Sequence, residues 1–254
     1  MNRRRALQSI GRASIAAIVP GCVSTRRSQS VFRYEVYGAG PYLLVGATLP
    51  DEVRSTFVEG LLEQYSVVVI EVPTGEARSD VQNVFTADRA CAELLRVAET
   101  VHADRFAYYG YSWGGTLGLQ LADRTDRLTA LICGGWPALG APYPEMAVYT
   151  ETNAARDRTE SIWATYYRSI ATWNEREAVS RITCPRMAFA GSADIIEADG
   201  ITVPIGPLVA AHRDELEEMG WTVELVDGFD HELGRRPEVV VPMLRKFLDA
   251  LRSQ

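Results

Sequence analysis

The chain of 254 residues has few histidines and few cysteines, and it has no basic stripe outside its N-terminus. Its net charge is −7 and its acidic residues are spread along the sequence, so we do not expect nucleic acid as a partner. The four cysteines, Cys22, Cys91, Cys133 and Cys184, show neither metal-ligand nor C-x-x-C spacing. We therefore predict neither a metal nor a cofactor, and we expect the last three cysteines to be buried small side chains.

The first 22 residues differ in composition from the rest of the chain. A run of three arginines at positions 3–5 precedes a mildly apolar stretch, which ends in Val-Pro-Gly-Cys at positions 19–22. This segment resembles a bacterial export signal of the twin-arginine kind, and its end resembles a lipobox. The resemblance implies a periplasmic protein, or one attached to the membrane through a lipidated Cys22. Residues 23–31 are mostly polar and rich in serine and arginine, which predicts a linker. An N-terminal extension on a cytoplasmic enzyme is the alternative.

Strand-like and helix-like segments alternate over most of the remaining sequence. Residues 66–72 form a β-branched run, which is typical of a parallel strand that is buried on both faces. Residues 86–101, 207–219 and 237–251 have helical character, and Thr86 is a plausible N-cap. This alternation predicts an α/β fold with a mostly parallel central sheet and helices on both faces. We expect the core to comprise residues 32–135 and 182–254.

Residues 136–181 interrupt the alternation, because they are rich in aromatic residues and helical in pattern, without a strand. An insertion of this size between two core strands predicts a helical lid over the site. Most of its aromatic side chains are expected to pack the lid on the body of the protein. One or two of them are expected to line a substrate pocket, and the candidates are Trp136, Trp163 and Tyr166.

The most informative stretch is residues 107–118, which read Ala-Tyr-Tyr-Gly-Tyr-Ser-Trp-Gly-Gly-Thr-Leu-Gly. Gly110 and Gly114 flank Ser112 in the pattern Gly-x-Ser-x-Gly, which indicates a nucleophile elbow when it lies between a strand and a helix. A turn this tight leaves no room for bulky side chains two residues before and after the serine. The hydroxyl of Ser112 should stand exposed at a helix N-terminus, where an oxyanion can be stabilised.

A serine nucleophile needs a base and a carboxylate that orients the base, and only three histidines are available. His102 precedes the strand that leads to the elbow, so it should lie at the opposite end of the sheet. His212 falls within a predicted helix and is expected at the surface. His231 follows the last predicted strand and should share a sheet edge with Ser112, so it is the predicted base.

Asp194 is the favoured carboxylate, because it follows the predicted strand 186–190 at the same sheet edge. Asp199 and Glu197 lie farther along this loop and remain alternatives. Asp230 is next to His231 in sequence, but neighbouring side chains on an extended loop point apart. A lone Gly-x-x-Asp also occurs as a simple turn cap, and the chain order serine, aspartate, histidine favours the catalytic interpretation.

With these three segments in this order, residues 32–251 resemble the α/β-hydrolase superfamily of serine hydrolases. The resemblance implies an oxyanion hole formed by the backbone N–H groups of Trp113 and Ala47, with Thr48 as an alternative to Ala47. In much of the family the second loop reads His-Gly-x, whereas residues 45–48 read Val-Gly-Ala-Thr here. The glycine is retained and the histidine is not, but the required donor belongs to the backbone.

The expected reaction is hydrolysis of a carboxylic ester, or a related acyl bond, of a small molecule through an acyl-enzyme on Ser112. An acyltransferase, a thioesterase, an amidase or a peptidase would use the same three residues. A serine at the elbow argues against haloalkane dehalogenases and epoxide hydrolases, which would have an aspartate. A non-catalytic binding protein with this fold is the alternative of another class, although no member of the triad is missing.

Overall fold

The computed structural model describes residues 31–71, 84–158, 161–198 and 200–252. The predicted export segment, Cys22 and the predicted linker up to residue 30 lie outside the described residues, as does Asp199. In the described part of the chain, no helix is long and apolar enough to cross a membrane.

Seven strands form the central sheet, and a separate two-stranded hairpin lies beside it. Over the ranges that the structure describes, the strands are β1 (Arg33–Tyr37), β2 (Tyr42–Gly46), β3 (Ser66–Glu71), β4 (Phe106–Tyr111), β5 (Leu128–Gly134), β6 (Arg186–Gly191), β7 (Ile196–Ala198), β8 (Ile201–Val203) and β9 (Trp221–Val226). The sheet order is β1-β3-β2-β4-β5-β6-β9, and β7 pairs with β8. Only the pairing of β1 with β3 is antiparallel in the sheet, which confirms the prediction of a mostly parallel sheet.

Helices follow most of the strands, as the alternation predicts. In the described residues they are α1 (Asp51–Glu59), α2 (Ala87–Thr100), α3 (Trp113–Ala122), α4 (Tyr143–Arg156), α5 (Ser161–Ile170), α6 (Glu175–Arg181), α7 (Ile205–Ala211), α8 (Arg213–Glu218) and α9 (Pro237–Arg252), with a 3₁₀ helix at His231–Arg235. The N-cap of α2 is the predicted one, because Thr86 Oγ1 accepts a hydrogen bond from the N–H of Arg89 at 3.2 Å.

The β-branched run in β3 shows how the two layers of the core are built. Successive side chains of a strand point to opposite faces, so Val67 and Val69 enter one apolar cluster while Val68 and Ile70 enter the other. All four residues are at least 97% buried, as expected for a strand with helices on both sides. Burial on both faces fixes the register of the sheet, and the register aligns the strand ends that carry the site.

Two predicted helices have different bounds in the structure. The apolar spacing of residues 51–65 predicts one helix over this range, but α1 ends at Glu59, where Gly60 caps it. The predicted helix 207–219 is divided at His212, whose φ of −104° and ψ of 11° separate α7 from α8. The hairpin β7–β8 was not predicted, because three residues in each strand are too few to show an alternating pattern.

Residues 136–181, called the helical segment below, carry α4, α5 and α6 between β5 and β6. Polar contacts join this segment to the core. The hydroxyls of Tyr166 and Thr116 lie 3.0 Å apart, and Trp173 Nε1 donates to Asp123 Oδ2 at 3.1 Å. Both core partners belong to or follow α3, the helix that begins after Ser112. The helical segment is therefore anchored to the helix that carries the elbow.

Candidate active site

Ser112 occupies the sharp turn between β4 and α3. Its φ of 58° and ψ of −122° lie outside the conformations that a side chain normally permits. Two backbone hydrogen bonds hold it there, from Ser112 N–H to Gly134 O and from Gly115 N–H to Ser112 O, both at 2.8 Å. A strained residue held by its surroundings is typical of a nucleophile elbow.

The flanking glycines are required by close backbone approaches. A Cβ on Gly110 would lie 2.0 Å from the carbonyl oxygen of Gly114, within the turn itself. A Cβ on Gly114 would lie 1.5 Å from the carbonyl oxygen of Gly46, the last residue of β2 before the loop that contains Ala47. Any other residue at these positions would push the turn open. The elbow is thus packed directly against the loop that was expected to complete the oxyanion hole.

The structure brings Ser112, His231 and Asp194 together. Nε2 of His231 lies 2.8 Å from Ser112 Oγ, and Nδ1 lies 3.0 and 3.1 Å from the two carboxylate oxygens of Asp194. A carboxylate accepts hydrogen bonds, so the proton of the neutral imidazole is assigned to Nδ1. Nε2 is then the acceptor for the hydroxyl of Ser112. This is the arrangement that lets a histidine remove a proton from a serine.

Backbone and side-chain hydrogen bonds join the loop that carries Asp194, after β6, to the loop that carries His231, after β9. Gly228 N–H donates to Ser192 Oγ at 2.9 Å, and Ala193 N–H donates to the carbonyl oxygen of Phe229, also at 2.9 Å. Asp194 is completely buried between these loops, whereas the side chain of His231 is 28% exposed. The carboxylate is therefore shielded from water and the imidazole remains accessible to a substrate.

The other acidic candidates have different surroundings. Glu197 is exposed on β7, and Asp199 lies outside the described residues. Asp230 caps the 3₁₀ helix, since its side chain accepts a hydrogen bond from the N–H of Glu232 at 3.0 Å. Of the carboxylates described, Asp194 is the one that contacts the imidazole of His231.

The two remaining histidines lie away from Ser112. His102 is exposed after α2, before the strand that leads to the elbow, with a positive φ of 60°. His212 lies between α7 and α8, and its Nδ1 is 3.3 Å from Glu215 Oε2. Neither has a contact with the serine hydroxyl.

A cleft of about 280 Å³ opens beside the triad. Its lining combines the elbow, the loop after β2, the 3₁₀ helix and one residue of the helical segment: Gly46, Ala47, Thr48, Tyr111, Ser112, Trp113, Gly114, Trp163, His231, Glu232, Gly234 and Arg235. Arg235 and Glu232 form an ion pair at 2.9 Å within this lining. The volume is near the lower end of the range for small-molecule sites.

Both residues expected to supply oxyanion donors border the cleft. Trp113 is the first residue of α3, so its N–H has no acceptor within the helix. Ala47 follows Gly46, whose carbonyl group packs against Gly114. The two backbone segments thus meet next to Ser112, at the positive end of the α3 dipole.

Of the three aromatic candidates for the pocket, only Trp163 lines the cleft. Its ring packs edge to face on Trp113, with centroids 4.9 Å apart, so a residue of the helical segment contacts the residue that follows the nucleophile. The two indoles form an aromatic wall on one side of Ser112.

Trp136 and Tyr166 do not line the cleft, contrary to our prediction. Trp136 is 2% exposed, packs under the elbow beside Gly115 and contacts the ring of Tyr167. Tyr166 is fully buried and its hydroxyl is used by Thr116. Both side chains attach the helical segment to the core, where burial removes their large apolar rings from water.

Four cleft residues whose side chains were not predicted to line the pocket are Tyr111, Thr48, Glu232 and Arg235. Their positions offered a signal, since Tyr111 directly precedes Ser112 and Glu232 directly follows His231. Thr48 had been considered only as a backbone donor. Adjacency to a predicted catalytic residue is thus a better guide to the cleft than aromatic character.

The described cysteines have no disulfide partner: Cys91 and Cys133 are buried and Cys184 is partly buried. Among the described residues, no group of three His, Cys, Asp or Glu side chains could hold a metal ion. A larger groove of about 710 Å³ lies at the opposite end of the sheet, where Arg181 is paired with Asp123. It contains no member of the triad, so we place the candidate active site at the smaller cleft.

The sequence matches no known family model and no curated protein. Solved structures are similar in fold. An enol-lactonase from Burkholderia xenovorans LB400 has a TM-score of 0.65 at 18% identity, over 86% of this chain and 96% of that one. Epoxide hydrolase A from Mycobacterium thermoresistibile has a TM-score of 0.63 at 16% identity, over 88% and 97%. A thermophilic esterase from Thermogutta terrifontis has a TM-score of 0.59 at 17% identity, over 87% and 93%.

These similarities extend over most of this chain and nearly all of each neighbour. Together with the mostly parallel sheet and the position of the elbow after β4, they show that the chain has the α/β-hydrolase fold. At 16–18% identity these similarities show the fold alone, so the chemistry must be inferred from the residues of the cleft.

Proposed function

We propose that the protein is a serine hydrolase that cleaves a carboxylic ester of a small molecule through an acyl-enzyme on Ser112. The observation that carries this proposal is the continuous path from Ser112 Oγ through His231 to the buried carboxylate of Asp194, with contacts of 2.8 and 3.0 Å. Without the imidazole as an acceptor, a serine hydroxyl is a weak nucleophile at neutral pH.

The acylation step follows from these contacts. Ser112 Oγ attacks the carbonyl carbon of the ester as Nε2 of His231 takes the hydroxyl proton. The imidazolium is stabilised by the carboxylate of Asp194. His231 then gives the proton to the departing alcohol oxygen, and the acyl group remains on Ser112.

The tetrahedral intermediate carries a negative charge on the former carbonyl oxygen. We assign its stabilisation to the backbone N–H groups of Trp113 and Ala47, which both border the cleft that holds Ser112. Water then attacks the acyl carbon as His231 takes its proton, and His231 returns this proton to Ser112 Oγ as the bond between Oγ and the acyl group breaks and the acid leaves. The N-terminus of α3 adds its positive partial charge at the same place.

An acyltransferase, a thioesterase, an amidase or a peptidase would share this acyl-enzyme and differ in the bond attacked or in the acceptor. Among these we favour an ester of a small molecule, because the cleft has a volume of about 280 Å³ and is closed on one side by Trp163. A long peptide would need an extended groove.

The direct test is a panel of p-nitrophenyl esters of increasing acyl length, assayed beside the matching anilides and thioesters. We expect hydrolysis of the short esters and a loss of at least about 10⁴-fold in kcat for Ser112→Ala. Turnover of the anilides in preference to the esters would indicate an amidase, and turnover of the thioesters would indicate a thioesterase. No turnover of any member by the folded wild type would contradict the proposal.

We further propose that the chain is exported and attached to a membrane through Cys22. The support is the composition of residues 1–22, which lie outside the described residues. Fractionation of cells that produce wild type or Cys22→Ala tests it: wild type should sediment with membranes and Cys22→Ala should not. Equal recovery of both in the cytoplasm would contradict it.

A further inference from the structure

Three tyrosines on β4 differ in what their hydroxyls contact. Tyr108 donates to the carbonyl oxygen of Gly114 at 3.0 Å, on the elbow itself. The hydroxyl of Tyr109 is buried and has no hydrogen-bond partner in the described part of the chain. Tyr111 donates to the carbonyl oxygen of His231 at 3.0 Å. Only the third joins the strand of the nucleophile to the residue that serves as its base.

The ring of Tyr111 is enclosed by glycines from two separate segments of the chain. A Cβ on Gly135, after β5, would lie 2.5 Å from its Cζ atom, and a Cβ on Gly234, in the 3₁₀ helix, would lie 2.4 Å from its Cδ1 atom. The missing side chains leave a slot that fits one aromatic ring. Burial also raises the pKa of Tyr111 well above its ordinary value, so the hydroxyl keeps its proton and remains a donor.

The position of His231 explains why such a link matters. His231 follows β9, the edge strand of the sheet, and β5 and β6 lie between β9 and the strand of Ser112. The 3₁₀ helix that begins at His231 has only five residues, too few to fix its own position in space. The Asp194 contact orients the ring of His231, and the Tyr111 contact holds its main chain.

We propose that Tyr111 is a positioning residue that holds the backbone of His231 at the distance where Nε2 reaches Ser112 Oγ. This proposal rests on the function proposed above for the triad. Tyr111 precedes Ser112 directly, and its ring centroid lies 5.4 Å from that of His231. If the elbow shifts, Tyr111 would therefore move His231 with it, and the distance between Ser112 Oγ and His231 Nε2 would be kept.

The test is Tyr111→Phe, which removes the hydroxyl and keeps the ring in its slot. We expect kcat for a short p-nitrophenyl ester to fall about tenfold, because small misplacements of a catalytic group carry large rate penalties. KM should change less than about twofold, since the lining of the cleft is preserved. The low-field proton resonance of His231 Nδ1–H should broaden, because the imidazole would exchange its proton more readily.

Tyr109→Phe is the matched control, since it removes a neighbouring buried hydroxyl that has no partner in the described part of the chain. Its kcat, KM and low-field resonance should equal those of wild type. Melting temperatures of both variants establish that they are folded at the assay temperature. A purely structural hydroxyl would change the melting temperature and leave kcat and the resonance unaltered.

Unchanged kcat in Tyr111→Phe, with wild-type turnover dependent on Ser112, would overturn the positioning role and leave the proposed function intact. An equal loss in Tyr109→Phe would also overturn it, because the effect would then follow from any hydroxyl on β4. Wild type without any Ser112-dependent turnover would instead contradict the function on which the inference rests.

Discussion

The carboxyl edge of the sheet and the helical segment are built from different interactions. At the sheet edge, short polar contacts join Ser112, His231 and Asp194, and glycines allow backbones to touch. In the helical segment, large rings such as Trp136 and Tyr166 are buried against the core. The difference indicates that the edge fixes the reacting atoms while the helical segment provides a wall, through Trp163.

This division has a physical basis. Strand ends inherit their positions from the hydrogen-bonded register of the sheet, so groups that must lie within about 3 Å of one another are best placed there. Helices that pack on the core through buried aromatic rings can change the side chains that face the cleft and keep this packing. If the division holds, substitutions at the edge should abolish turnover, and substitutions in the helical segment should change selectivity or stability.

The largest effect of the non-nucleophile variants is expected from Asp194→Asn. An asparagine at this buried position favours the wrong imidazole tautomer, so kcat should fall about 10⁴-fold with little change in KM. Asp230→Asn is the control, because asparagine is an equally good cap for the 3₁₀ helix. The measurement is the steady-state kcat and KM of the two variants. Equal losses of kcat would contradict the assignment of Asp194, rather than Asp230, as the carboxylate that orients His231.

Gly114→Ala tests the packing of the elbow. The new Cβ would lie 1.5 Å from the carbonyl oxygen of Gly46, so the turn must open, and we expect at least about a 100-fold loss of kcat or failure to fold. Gly200→Ala is the control, since no atom lies within 4 Å of the added group, although the positive φ of Gly200 strains any side chain there. It should cost about 1 kcal/mol of stability and no activity.

Much of the edge could be predicted from the sequence, and much of the helical segment could not. Gly110 and Gly114 are local signatures, because a single turn demands them, and the chain order of strand ends leads from Ser112 to Asp194 and His231. Whether a tryptophan packs or lines a cleft depends on contacts between distant segments. Trp136 and Trp163 are alike in the sequence, and only the fold places one beneath the elbow and the other beside the nucleophile.

Trp163→Ala tests the role of the helical segment as a wall. Removing the indole enlarges the cleft, so kcat/KM for a short ester should fall about tenfold while bulkier acyl groups become relatively better substrates. Tyr149→Ala, on α4 and outside the lining of the cleft, should leave this preference unchanged. The measurement is kcat/KM across the ester panel, and an identical acyl preference in Trp163→Ala would refute the wall.

The smallest effect is expected from Glu175→Gln, which tests a contact within the helical segment through the melting temperature. Glu175 Oε2 accepts from Gly140 N–H at 2.6 Å, and burial raises the pKa of Glu175 to about 7. The folded protein thus holds this proton more tightly than the unfolded chain. The stability that it contributes is complete below pH 4.5 and is lost as pH rises through about 7.

Glutamine cannot ionise, so Glu175→Gln should melt about 2 °C above wild type at pH 8 and together with it at pH 5. Glu177→Gln, at an exposed position paired with Arg181, should show no such dependence on pH. Thermal melts of the three proteins at both pH values provide the comparison. A higher melting temperature at pH 5 only would reverse the assigned sign.

The central claim is that Ser112 is an activated nucleophile at the edge of the sheet, and covalent labelling tests it most directly. Wild-type protein treated with a fluorophosphonate should gain one adduct, which mass spectrometry of the digested protein should place on Ser112. Ser112→Ala should gain none, and Asp194→Asn should react far more slowly. An unlabelled, folded wild type, or equal labelling of Ser112→Ala, would contradict the account.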